Sequence, residues 1–120
     1  MKRNVLVLGA STNTSRFSYL AIKKLLRFGH EVHAIAPRPG NIDEVIFDTE
    51  KIEYQDIDTV TLYLSAPNQV SYYDYILKLK PERVIFNPGT ENPELENLLE
   101  ENKIEAIQNC TLVMLDAGIF

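Results

Sequence analysis

The chain holds one cysteine, Cys110, in 120 residues, so it cannot close an internal disulfide or build a thiolate zinc cluster. It also lacks an excess of basic residues. Twelve Lys and Arg stand against 17 Asp and Glu, a formal net charge of −5. That balance argues against nucleic acid or an anionic membrane as partner, and any anionic ligand must be held by local donors. No apolar run approaches the roughly 18–20 residues of a membrane span. The stretch Val5-Leu6-Val7-Leu8, after Met1-Lys2-Arg3-Asn4, stops at Gly9 and is too short for the apolar core of a secretory leader. A soluble, cytoplasmic protein is expected. No repeat, low-complexity tract or Gly/Ser linker divides the sequence, so residues 1–120 are expected to form a single domain.

What is present is ordinary globular composition, 45% apolar and 24% charged, in a chain long enough to bury roughly two-thirds of its unfolded surface. Short apolar runs alternate with helical segments. Val5-Leu6-Val7-Leu8 shows no polar alternation, as a central parallel strand covered on both faces requires. The spacing predicts a helix from about Ser15 to Phe28, with Phe17, Leu20, Ala21, Leu25 and Phe28 on its buried stripe, Thr14 or Ser15 capping its start and Gly29 stopping it. Further strands are expected at Glu31 to Ala36, Thr59 to Leu64, Arg83 to Phe86 and Ile104 to Ile107, with a short edge strand at Glu44 to Phe47. Helices are expected from Pro67 to Leu79, ending before Pro81, after an Asn92 cap with Pro93 at the first position, and over Thr111 to Ala117. Strands separated by helices give an α/β, Rossmann-like three-layer fold: an open, mainly parallel twisted sheet with helices on both faces. Such sheets bind ligands beyond the carboxyl ends of their strands, which directs attention to loops 9–15, 37–40, 65–68 and 87–90.

In the first loop, Gly9 lets backbone amides approach a phosphate, and the following helix N-terminus favours negative charge. The hydroxyls of Ser11, Thr12 and Ser15 add donors, and Arg16 adds a fixed charge. This is not the dinucleotide fingerprint, because only one of its three glycines is present. The second strand also lacks the acid with which NAD enzymes hold the ribose, ending instead in Ala36-Pro37-Arg38. NAD is disfavoured, and the basic residue suits a phosphorylated ribose, as in NADP or coenzyme A. A tight turn and a solvated arginine are the plain alternatives at these two places.

Several segments together carry a family resemblance: Val5 to Ser11 with Arg16; Gly29-His30-Glu31-Val32 running into Ala36-Pro37-Arg38; Asp58-Thr59-Val60 into Leu64-Ser65-Ala66-Pro67; Arg83 to Gly89; and Ile107 to Cys110. The chain resembles the small bacterial CoA-binding domain proteins, which are similar to the nucleotide-binding domain of the succinyl-CoA synthetase alpha subunit. The resemblance spans essentially the whole chain. It implies coenzyme A or an acyl-CoA bound across the strand ends, with Gly9, Ala10, Ser11 and Thr12 against the pyrophosphate and Arg16 nearby. Pro37 and Arg38 would face the ribose phosphate or adenine, and Ser65, Ala66, Pro67, Asn87, Pro88 and Gly89 would line the pantetheine path. The chain departs from the family's usual pattern at Ala36, where an asparagine is common, and at Asn87-Pro88.

No reaction is evident. The two histidines, His30 and His33, have no sequence-evident partner nucleophile or carboxylate; His30 suits a cationic cap at the first helix end, and His33 a packed or surface place in a strand. Cys110 reads as core packing, with a mixed disulfide to a ligand thiol as the alternative. Glu94, Glu96, Glu100 and Glu101 read as the solvated face of a helix, not a metal site. One of Tyr72, Tyr73 and Tyr75 is expected to pack on the sheet; a partner surface formed by the others is the lesser alternative. The expected function is a non-catalytic binding or regulatory module for coenzyme A. The rivals are an NADP-binding module or reductase, and a protein-interaction module with a vestigial crevice; a homodimer fits any of them.

Overall fold

The computed structural model describes residues 2–120. Its strands are β1 (Asn4–Leu8), β2 (Glu31–Ile35), β3 (Asn41–Ile42), β4 (Val45–Ile46), β5 (Thr59–Leu62), β6 (Arg83–Phe86) and β7 (Glu105–Gln108). Its helices are α1 (Phe17–Arg27), α2 (Ala66–Gln69), α3 (Tyr73–Leu79), α4 (Pro93–Glu101) and α5 (Thr111–Asp116). Five strands form one parallel sheet in the order β2-β1-β5-β6-β7, and β3 and β4 form a separate antiparallel hairpin.

The unbroken apolar run of β1 follows from this order. β1 is central, and its side chains alternate between two buried layers. Leu6 and Leu8 pack with Val60, Leu62, Val84 and Phe86 beneath Tyr75 and Ile76 of α3 and Leu95 and Leu99 of α4. Val5 and Val7 point the other way, to Ile22 and Leu25 of α1, Leu115 of α5, and Ile42, Val45 and Phe47 in and beside the hairpin. The result is the Rossmann-like three-layer arrangement expected from the sequence.

Several local features differ from expectation. α1 starts at Phe17, with Arg16 at the N-cap position and no side-chain cap, because the Asn13 carboxamide occupies the backbone and hydroxyl of Ser15 (3.0 and 2.7 Å). Its buried stripe is Ser18, Ala21, Ile22 and Leu25, whereas Phe17, Leu20 and Phe28 are exposed. The predicted helix from Pro67 to Leu79 is broken by a 3₁₀ turn at Val70–Tyr72, and Lys80 closes it in a left-handed conformation (φ 51°). Asn92 caps α4 as expected, accepting from the Leu95 amide at 3.3 Å. The edge strand predicted at residues 44–47 is part of the hairpin, and Asp48 behind it bonds Ala34 and Ala36 of the sheet edge (3.0 and 2.9 Å).

His30 is not a cationic cap. The carbonyls at the end of α1 are met by backbone amides, including that of His30 itself on Leu25 (3.0 Å). The imidazole Nδ1 accepts a hydrogen bond from the Arg3 amide at 2.9 Å, and the ring meets Phe120 edge-on at 5.1 Å. Burial, reinforced by neighbouring positive charge that includes Arg3 and Arg83, holds its pKa below the ordinary 6.5. The unfolded chain therefore takes up this proton at higher pH than the folded one, and stability is lost as pH falls below about 6.5. Denaturant unfolding at pH 7.5 and pH 5.5 is expected to show that loss, and His30→Gln is expected to shrink it. An equal pH dependence in the variant would count against His30 as its source.

Candidate functional site

The chain passes from β1 to β2 on one side and later returns to β5 on the other, so strand order reverses between β1 and β5. A crevice opens beyond the carboxyl ends of the strands at this point, as the topology requires. It has a volume of about 740 Å³ and takes its walls from residues 9–13, 16–18, 36–39 and 63–65, with Phe47, Pro88, Gly89 and Thr90 completing the lining.

Ten of the thirteen residues singled out from the sequence line it: Gly9, Ala10, Ser11, Thr12, Arg16, Pro37, Arg38, Ser65, Pro88 and Gly89. Ala66 and Pro67 begin α2 and lie outside the lining. Asn87 is buried and faces the core. Its amide donates to the Thr61 hydroxyl (2.7 Å) and the Leu62 carbonyl (2.9 Å), and its oxygen accepts from the Thr111 amide (2.9 Å). It ties β5, β6 and the start of α5 together. Thr90 lies in loop 87–90 as expected, and the sequence reading missed Phe17, Ser18, Ala36, Phe47, Tyr63 and Leu64 as lining residues; position at a strand's carboxyl end could have found Tyr63 and Leu64, and nothing local marks Phe47.

Gly9 shapes the floor. It has φ +97°, and a Cβ there would stand 3.0 Å from the Tyr63 carbonyl carbon and 3.1 Å from its oxygen. Its amide and that of Ala10 both donate to the Ile35 carbonyl (3.0 and 3.1 Å). Those two amides are thus spent on the sheet. The N–H groups of Ser11, Thr12 and Thr14 donate to nothing else among the described residues. Of these, Ser11 and Thr12 line the crevice, and with the uncapped first turn of α1 their amides are the donors available to an anion. At Gly40 a Cβ would meet Thr12 Cγ2 at 2.8 Å, so the segment leading into the hairpin packs on this loop and closes the β2 side.

The charges are one-signed. Arg16 and Arg38 are exposed, make no ion pair or side-chain hydrogen bond among the described residues, and share the crevice with no aspartate or glutamate. In a chain of net charge −5, this is a local positive site for an extended anion. Between the arginines and Pro88 the walls turn apolar at Tyr63 and Leu64. Burial pushes the Tyr63 phenol up to about 12, so it stays neutral.

Cys110 is half-buried at the start of α5, and neither it nor a histidine lines the crevice. Among the described residues no group of three His, Cys, Asp or Glu is placed to hold a metal ion, and no helix is long and apolar enough to cross a membrane. Tyr75 is buried, while Tyr72 and Tyr73 are half-buried against the same core.

Residues 3–116 match the model of a family described as a CoA binding domain. A crystal structure of an uncharacterized protein is 48% identical, with 100% of this chain and 99% of that one covered and a TM-score of 0.98. A Thermus thermophilus protein is 20% identical, with 98% and 90% covered and a TM-score of 0.87. A dinucleotide-forming acetyl-coenzyme A synthetase from Ca. Korarchaeum cryptofilum is 16% identical, with a TM-score of 0.71 over 88% of this chain but 25% of its own. None of the curated proteins compared with this chain matches it.

Proposed function

The chain belongs to the CoA binding domain family, and we propose that it binds coenzyme A or an acyl-CoA across the carboxyl ends of β1, β2, β5 and β6, as a binding or regulatory module without a reaction of its own. The observation that carries this reading is the pairing of two uncommitted guanidiniums with free loop amides, and no carboxylate, in one crevice. Coenzyme A presents a pyrophosphate and a ribose phosphate on one half and an uncharged pantetheine arm on the other. Its phosphates suit Arg16, the 11–14 loop and Arg38. Its arm suits the stretch from Leu64 and Ser65 to Pro88 and Gly89. Support for a non-catalytic role comes from the lining, which holds no histidine, cysteine or carboxylate to serve as nucleophile or general base.

The test is thermal unfolding with coenzyme A, acetyl-CoA, NADP and NAD in parallel. A ligand at 100 times its Kd adds about 2.7 kcal/mol, a rise of several degrees in a domain of this size. Stabilisation by coenzyme A well beyond NADP is expected. A shift with NADP alone would instead select an NADP-binding module, and no shift with any nucleotide would select an interaction module with a vestigial crevice.

A further inference from the structure

Gln69 is fully buried at the end of α2, although it is one of the more polar side chains in the chain. Its amide donates one hydrogen to the Leu64 carbonyl (2.8 Å) and the other to the Thr90 carbonyl (2.7 Å). Its oxygen accepts from the Asn92 amide at 3.0 Å. Asn92 is held in turn, donating to the Tyr73 hydroxyl (2.8 Å) and capping α4 through its own oxygen.

The two carbonyls belong to different loops. Leu64 follows β5 and Thr90 follows β6, and both line the crevice. The β5–β6 ladder ends at Leu62 and Phe86, and no backbone hydrogen bond joins residues 64–69 to residues 88–92 among the described residues. Beyond the sheet, Gln69 is therefore the direct bridge between the crevice's two far walls. The geometry also requires an amide. Two donors must converge on two carbonyls while one acceptor faces Asn92, and glutamine supplies that set. Glutamate would turn a carboxylate oxygen toward a carbonyl, and methionine would leave both carbonyls buried without partners and the Asn92 amide with the Tyr73 hydroxyl alone.

We infer that Gln69 is a positioning residue that sets the separation of the β5 and β6 loops, and so the fit of the ligand's uncharged arm, without touching the ligand. The inference rests on the coenzyme A reading. It separates the two ends of the site, because the phosphate-binding end is built from β1, β2 and α1 and does not depend on this bridge.

The experiment is calorimetric titration of the wild type and Gln69→Met with coenzyme A and with adenosine 3′,5′-bisphosphate, which lacks the arm. The variant is expected to lose about tenfold in affinity for coenzyme A, the scale of one lost buried hydrogen bond, and to keep its affinity for the bisphosphate within about twofold. Equal losses for both ligands would assign Gln69 to general stability and overturn the inference, as would no loss for either. Asn92→Asp keeps the α4 cap but removes the donor that orients Gln69, and is expected to give the same split, smaller. It decides the matter if Gln69→Met fails to fold. A wild type that binds the bisphosphate but gains nothing from the arm would also overturn the inference. A wild type that binds neither ligand would overturn the coenzyme A reading itself, before any variant is compared.

Discussion

Arg38→Ala is expected to weaken coenzyme A binding about 10- to 100-fold while changing the affinity for dephospho-coenzyme A by less than about twofold. The side chain stands just past the tip of β2, exposed and without an ion pair among the described residues, in a crevice with no carboxylate. Its charge is uncommitted in the fold, so removing it costs little stability. In the complex it gains a charge-assisted hydrogen bond, worth about 1.5–3 kcal/mol. Arg16→Ala is expected to weaken both ligands alike, because it lies beside the 11–14 loop, where the pyrophosphate common to both would sit. Parallel calorimetric titrations of the two variants check this. Equal affinities in wild type and both variants would mean that the anion is held elsewhere.

The second large effect is expected at Gly9. Alanine there must adopt φ near +97° and push its methyl against the Tyr63 carbonyl, at 3.0 Å from carbon and 3.1 Å from oxygen. The obstacle is backbone at the carboxyl end of β5, which cannot rotate away as a side chain end could. Strain of this kind costs about 1–3 kcal/mol, and the contact adds to it. Gly9→Ala is thus expected to lower the melting temperature by several degrees and to weaken coenzyme A binding, since Tyr63 and the 9–12 turn form the floor of the crevice. Gly29 is the control. It also has positive φ, +83°, but a Cβ there meets nothing within 4 Å. Gly29→Ala should lose less stability and leave the ligand affinity unchanged. Comparable losses in the two variants would remove the special role assigned to the Gly9 contact.

The parts of the fold legible in the sequence are those with one strong local cause. β1 announces itself as a continuous apolar run, and β6 nearly so through Val84-Ile85-Phe86, because both their faces are covered; β5 does so through β-branched residues and Leu62, and α4 through the Asn92-Pro93 start. Apolar spacing counts every apolar residue alike and so puts Phe17, Leu20 and Phe28 on the stripe of α1, where all three are exposed. The helix instead buries the small Ser18 together with Ile22 and turns Phe17 to the crevice mouth. The segment after Arg38 is held by distant partners, such as Asp48 on Ala34 and Ala36 and Lys23 on Asp43 (2.9 Å), which no local pattern reveals.

The same limit applies at the site. The loops were legible because parallel strands place their carboxyl ends together. Which polar residue faces the ligand was not: Asn87 and Pro88 are neighbours in one loop, yet Asn87 turns into a buried network and Pro88 lines the crevice. Gln69 shows the converse. Inside a helical stretch it looks like surface, and its burial depends on two carbonyls, one of them 21 residues away in sequence.

The most direct test of the central claim is to follow the backbone amides by NMR as coenzyme A is added to the ¹⁵N-labelled protein. Saturable shifts are expected to concentrate at residues 9–13 and 16–18, at Ala36 and Arg38, at residues 63–65, and at Gly89 and Thr90, with the largest at Ser11 and Thr12, whose N–H groups have no partner in the fold among the described residues. Saturable shifts centred elsewhere, or none at millimolar coenzyme A, would contradict the assignment of this crevice as the coenzyme A site.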